Sequence, residues 1–156
     1  MTLELSRQAE ALLAEMARDH GVPAIKPDEE GLIPIILDDS IVVLLTFNRA
    51  NDTCFIFHVL GVGIEEPFDA AWSCFDTPAA WDSRRTRIGF EQENNSLSLV
   101  CELFLKGISY GDFSAALERF VEDIAEARRL LGLGKATLDS EEATSLLSSD
   151  NVVIRV

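Results

Sequence analysis

Positive charge is scarce in this chain: 13 Lys and Arg stand against 27 Asp and Glu, a formal net charge of −14 over 156 residues. Binding to nucleic-acid phosphates needs clustered cations that release counterions, and anionic membranes make the same demand. Both are therefore set aside as partners. The one basic cluster, Arg84-Arg85-Thr86-Arg87, reads as a solvated strand edge or loop. Such an acidic surface suits a soluble carrier, or a partner that is itself basic. Long apolar runs are missing too. No stretch approaches the roughly 18 apolar residues of a membrane span, and MTLELSRQAE scatters charges among its hydrophobic positions instead of separating a basic region from an apolar one. A soluble, unprocessed protein with no membrane insertion is expected. Cysteines number three, Cys54, Cys74 and Cys101, widely spaced and each set in apolar sequence. That pattern fits reduced, buried thiols in the cytoplasm better than a disulfide framework.

Motifs for cofactors and metals are also lacking. Gly61-Val62-Gly63 follows a strand-like run, but Glu66 occupies the third glycine position of a dinucleotide fingerprint, where its carboxylate would repel a pyrophosphate. Gly132-Leu133-Gly134-Lys135-Ala136 ends like a phosphate loop. Arg129, however, replaces the leading glycine and Ala136 the metal-binding hydroxyl, so a helix C-cap is the better reading. The carboxylate pairs Asp38-Asp39, Glu65-Glu66 and Glu141-Glu142 sit at turns or helix starts, where acidic residues serve local ends. His20 and His58 have no neighbours at ligand spacing. No cofactor or metal is expected. A Cys-His nucleophile pair meeting only in space is the enzymatic alternative to buried thiols and a hydrogen-bonded histidine.

What the chain has is apolar surface. At 47% hydrophobic residues, it can fold as one domain hiding roughly 70% of its unfolded surface. Leu5, Ala9, Leu12, Leu13 and Met16 recur at helical spacing between Leu3 and His20, and Gly21 and Pro23 stop that helix. Three strand-like runs follow, Leu32 to Leu37, Ile41 to Phe47 and Cys54 to Leu60, joined by short links that suit a meander. Pro34 lacks a ladder donor and places the first run at a sheet edge. A short central helix is expected over Glu66 to Phe75, then a hairpin of Arg87 to Gln92 and Leu97 to Leu105. Ser109-x-x-Asp112 opens a long helix that runs to Leu131. The predicted fold is α+β: two layers, an antiparallel five-stranded sheet with helices mainly on one face, in the order α-β-β-β-α-β-β-α. The domain spans residues 1–131, with a tail over 132–156.

The stretch Ile41-Val42-Val43-Leu44-Leu45-Thr46-Phe47 does not alternate as a half-buried strand should. A hairpin through Ala50 puts Ile41, Val43, Leu45, Phe47, Ile56 and Leu60 on one face and Val42, Leu44, Phe55, Phe57 and Val59 on the other. Either register leaves both faces apolar. The helices can cover one face, and the second needs a partner. Phe68, Trp72 and Phe75 on the central helix pose the same question, since each ring carries about 150–250 Å² of surface.

This order of elements resembles the small secretion chaperones of bacterial type III systems. The resemblance covers residues 3 to 131 and is carried by the amphipathic first helix, "LIPIILDDSIVVLLTFN", "CFIFHVLGVG", "RIGFEQENNSLSLVCELFL" and "SYGDFSAALERFVEDIAEARRLLG". It implies a cytoplasmic bacterial homodimer, without nucleotide or metal, that keeps the N-terminal non-globular segment of a secreted effector extended, with secretion-apparatus components as further partners. Under that implication Val42, Leu44, Phe55 and Phe57 are candidate client contacts. Phe68, Trp72, Phe75, Ile88 and Phe90 are candidate dimer contacts. An interaction or regulatory domain of the same fold, binding a folded partner, is the alternative.

Overall fold

The computed structural model describes residues 4–37, 40–61, 85–91 and 96–133. The expected central helix with Phe68, Trp72 and Phe75, the residue Cys74 and the tail from 134 onward lie outside the described residues.

Ser6 decides where the first helix begins. Its hydroxyl accepts the backbone N–H of Ala9 at 3.1 Å, so α1 starts four residues later than the apolar spacing suggests and spans Arg7–Asp19. Gly21, at φ 66°, ends it. The N–H of Gly21 reaches the carbonyl of Arg18 and that of Val22 the carbonyl of Ala17, two carbonyls the helix would otherwise leave open. The second helix, α2, spans Tyr110–Leu130 and carries a complete capping box. Ser109 accepts the N–H of Asp112 at 3.1 Å, and the Asp112 carboxylate accepts the N–H of Ser109 at the same distance. The Ser109 hydroxyl, which donates to the Asp112 carboxylate at 2.7 Å, and the Ser109 N–H hold the Asp112 carboxyl below its ordinary range. Gly132, at φ 68°, closes α2 with the same pair of backbone bonds seen after α1.

Five strands lie between the helices: β1 Ile33–Leu37, β2 Ile41–Asn48, β3 Thr53–Gly61, β4 Arg85–Glu91 and β5 Ser96–Phe104. All pairings are antiparallel and the order is β1-β2-β3-β5-β4. Pro34 lies on an edge strand, as its missing donor requires. β4 starts at Arg85, two residues ahead of the expected strand, and puts Arg85 and Arg87 on the opposite edge.

Both helices pack on one face. Val43, Leu45 and Phe47 of β2, Cys54 and Ile56 of β3, and Leu97, Leu99 and Cys101 of β5 form one core with Leu12, Leu13 and Met16 of α1 and Phe113, Leu117, Phe120 and Ile124 of α2. The period of two in the strands and 3.6 in the helices meet on that surface. Cys54 and Cys101 are buried and form no disulfide, and burial with the neighbouring Cys101 pushes the Cys54 thiol well above its ordinary range. Such a group is inert as a nucleophile at neutral pH.

Ser109→Ala removes the accepting hydroxyl of the capping box and should lower the unfolding free energy by about 1 kcal/mol in urea denaturation. Gly21→Ala, forced into a left-handed conformation, should cost about 1–2 kcal/mol by the same measurement.

Candidate binding face

Alternation along the strands sends the remaining side chains to the surface opposite the helices. The registers align them in rows. Pro34, Leu44, Phe57, Val100 and Arg87 lie in one row across all five strands, and Thr46, Phe55, Glu102 and Arg85 in the next. Val42, Leu44, Phe55 and Phe57 therefore share one face, as the hairpin reading expects, and each is partly exposed. Phe55 and Phe57 stack with ring centroids 6.1 Å apart. Val59 at 44% and Phe104 at 50% are among the most exposed large apolar residues described. Phe104 was open to the same reasoning: the period that turns Leu97, Leu99 and Cys101 inward must turn Phe104 outward.

Of the candidate dimer residues, only Ile88 and the backbone of Phe90 are described. Ile88 pairs with Leu99, faces the helices and is buried in the core. Phe90 stands opposite Leu97 in the β4–β5 ladder. The other three fall outside the described residues.

The β2–β3 ladder runs from Asn48 and Thr53 to Leu44 and Phe57. Past that point one side chain bridges the two strands and another ties β3 to α2. The Nδ1 of His58 lies 2.9 Å from the carbonyl oxygen of Val42, and Arg128 of α2 donates to the carbonyl of Leu60 at 3.0 Å. A carbonyl only accepts, so Nδ1 carries the proton and Nε2 is the bare nitrogen. That Nε2 is buried with no hydrogen-bond partner among the described residues, so the expected hydrogen-bonded histidine is satisfied at one nitrogen only. Burial pushes the His58 pKa below 6.5, opposed by the bond to Val42 and assisted by the Arg128 guanidinium. The ring is thus held neutral at physiological pH.

At the other end of the face, the β2–β3 turn is tied to α1. Ser6 donates its hydroxyl proton to Asp52 Oδ1 at 2.6 Å, Leu105 N–H binds the Asp52 carbonyl at 2.9 Å, and Asn48 Oδ1 accepts the N–H of Ala50 at 3.0 Å. Asp52 adopts φ 50°, a conformation its short polar side chain tolerates. Beside this turn Thr46, Phe55, Asn48, Arg49 and Glu4 border an open recess of about 530 Å³, with Arg49 and Glu4 in an ion pair at its rim.

A one-layer helical cover and an apolar outer sheet face define an α+β fold in which one side of the sheet is left uncovered by the described helices. Residues 11–128 match the model of the Tir chaperone protein (CesT) family, and the chain belongs to that family of type III secretion chaperones. Among curated proteins it is similar to the transcriptional anti-antiactivator ExsC of Pseudomonas aeruginosa, 24% identical over 138 residues, which are 83% of this chain and 89% of ExsC. Two solved structures share its fold with a TM-score of 0.65. They are ExsC in the ExsC–ExsE complex (22% identity, 83% of this chain and 97% of that one) and the HopA1–SchA chaperone–effector complex (13%, 78% and 94%). The Yersinia pestis chaperone SycH, bound to a fragment of YscM2, aligns with a TM-score of 0.53 at 19% identity, over 76% of this chain and 98% of that one. Family and fold are those of chaperones rather than enzymes. No helix among the described residues is long and apolar enough to cross a membrane.

The neutral His58 fixes the sign of a pH effect. Its folded-state pKa lies below the unfolded value, so below pH 6.5 the unfolded chain takes up a proton that the native seam refuses, and stability falls as pH drops. This one group should contribute a slope of up to about 1.4 kcal/mol per pH unit. His58→Gln keeps a donor for Val42 and should flatten the slope, as read by urea denaturation between pH 7.5 and 5.

Proposed function

We propose that the chain is a homodimeric, ATP-independent chaperone that binds the N-terminal non-globular segment of type III secreted effectors and keeps it secretion-competent. The unit is residues 1–131, with 132–156 as a tail. One observation carries the reading: in a member of this family, the sheet face opposite the helices displays Val42, Leu44, Phe55, Phe57, Val59 and Phe104 partly or largely exposed. An extended segment lays every second side chain on such a face and can pair its backbone with a strand edge. Burial of apolar area supplies the free energy, about 25 cal/mol per Å², so no nucleotide is required. A cytoplasmic location and contacts with the secretion apparatus belong to the same proposal.

Self-association is assigned to Phe68, Trp72, Phe75 and the β4–β5 hairpin, where β4 is paired on one side only among the described residues. Light scattering should give twice the 17.2 kDa chain mass; a stable monomer at micromolar concentration rejects this part of the proposal.

A regulatory reading is supported by the similarity to ExsC, named as a transcriptional anti-antiactivator. In it, the partner is a folded regulator. Limited proteolysis of a co-purified complex separates the two, because an extended client is cut readily outside its bound segment and a folded one is not.

Phe55→Glu or Phe57→Glu should weaken effector binding at least about tenfold, since an unpaired carboxylate would be buried under the client. Circular dichroism and the oligomeric mass should stay unchanged. A folded variant with wild-type affinity would remove these two rings from the client surface.

A further inference from the structure

The recess at the β2–β3 turn adds a charge to the apolar face. Its wall is the Phe55 side chain, its rim the Arg49 guanidinium, and Arg49 is engaged by Glu4 from the segment ahead of α1. Among the outer-face strand positions whose side chains are described, the charges are one cation, Arg87, and one anion, Glu102, in a chain of net charge −14. The acidic character of the protein therefore lies elsewhere, and the cation that borders this recess is Arg49.

We propose that this recess is a selectivity subsite: it takes a bulky apolar side chain of an extended client against Phe55, together with an adjacent client carboxylate that displaces Glu4 from Arg49. The inference rests on the client-binding reading of the outer face and specifies the client's chemistry. Three observations support it. The recess, about 530 Å³ and open to solvent, has room for a side chain laid against Phe55. The guanidinium can grip a carboxylate through two parallel N–H donors. The existing pair is weakly held, with the Arg49 and Glu4 side chains 59% and 77% exposed, and ion pairs of that kind contribute little. A client covering the rim excludes water from its own carboxylate–Arg49 contact, so the exchange favours the client.

The turn is prepared for this. Asp52, Asn48 and Ser6 fix its backbone through their hydrogen bonds, so Arg49 projects from a rigid frame while its side chain and that of Glu4 stay free to exchange partners. Glu4 acts as a placeholder that masks the cation until a client arrives. It raises the demand on any segment lacking a carboxylate at the matching position, which then gains nothing by moving it.

The test uses the full chain and synthetic 20-residue peptides in which Leu and Phe alternate with Ser and a single Glu is moved along the sequence, so that net charge is constant. Fluorescence anisotropy at low salt should show one or two Glu positions, next to a Phe or Leu, binding about three- to tenfold tighter than the rest. Arg49→Gln should abolish that positional preference and leave the other peptides unaffected. Glu4→Gln should tighten only the preferred peptides, and should do nothing in the Arg49→Gln background. Equal affinity for all Glu positions, or a preference that survives Arg49→Gln, overturns the subsite while leaving the apolar face as the client surface. If no peptide binds, or if binding is indifferent to Phe57→Glu, the client-face reading itself fails and the subsite goes with it.

Discussion

Five paired strands present two surfaces, and α1 and α2 shield one of them. The rest of the molecule is arranged around that inequality. Alternation along β2, β3 and β5 divides the side chains between a core sealed by Leu12, Met16, Phe113 and Phe120 and an outer face carrying Phe55, Phe57, Val59 and Phe104. A single-residue slip between β2 and β3 would exchange the two sets. The turn at Asp52, tied to Ser6 and to Leu105, holds the register against such a slip. The cap that starts α1 and the bond that secures the hairpin thus share one hydroxyl.

Much of this was legible in the sequence because its signals are local. Ser109 and Asp112 announce the start of α2, Gly21 and Gly132 the ends of both helices, and Pro34 the sheet edge. The two faces of the central hairpin follow from period two once Ala50 is taken as the turn. The start of α1 was misjudged because Leu5 fits the apolar stripe, yet Ser6 has the better use for its hydroxyl as a cap.

Long-range features could not be read in that way. Past the end of the β2–β3 ladder, the bond of Arg128 to the Leu60 carbonyl joins residues 68 positions apart in the chain, and no spacing rule predicts it. The ion pair of Arg49 with Glu4 spans 45 positions and is hidden from local signals in the same way. Ile88 illustrates the opposite difficulty. In isolation it is one more surplus apolar residue, and only its register with Leu99 assigns it to the interior.

The interleaving of inward and outward residues on the same strands has a consequence for how such proteins diversify. Leu44 and Leu45 are neighbours in the chain but answer to different demands, one to the proposed binding surface and one to packing. Substitutions at alternate positions of β2, β3 and β5 can remodel what is recognised while every buried contact beneath stays in place. The scaffold is in this sense a printed page with writing on one side, and the text can be rewritten without tearing the paper.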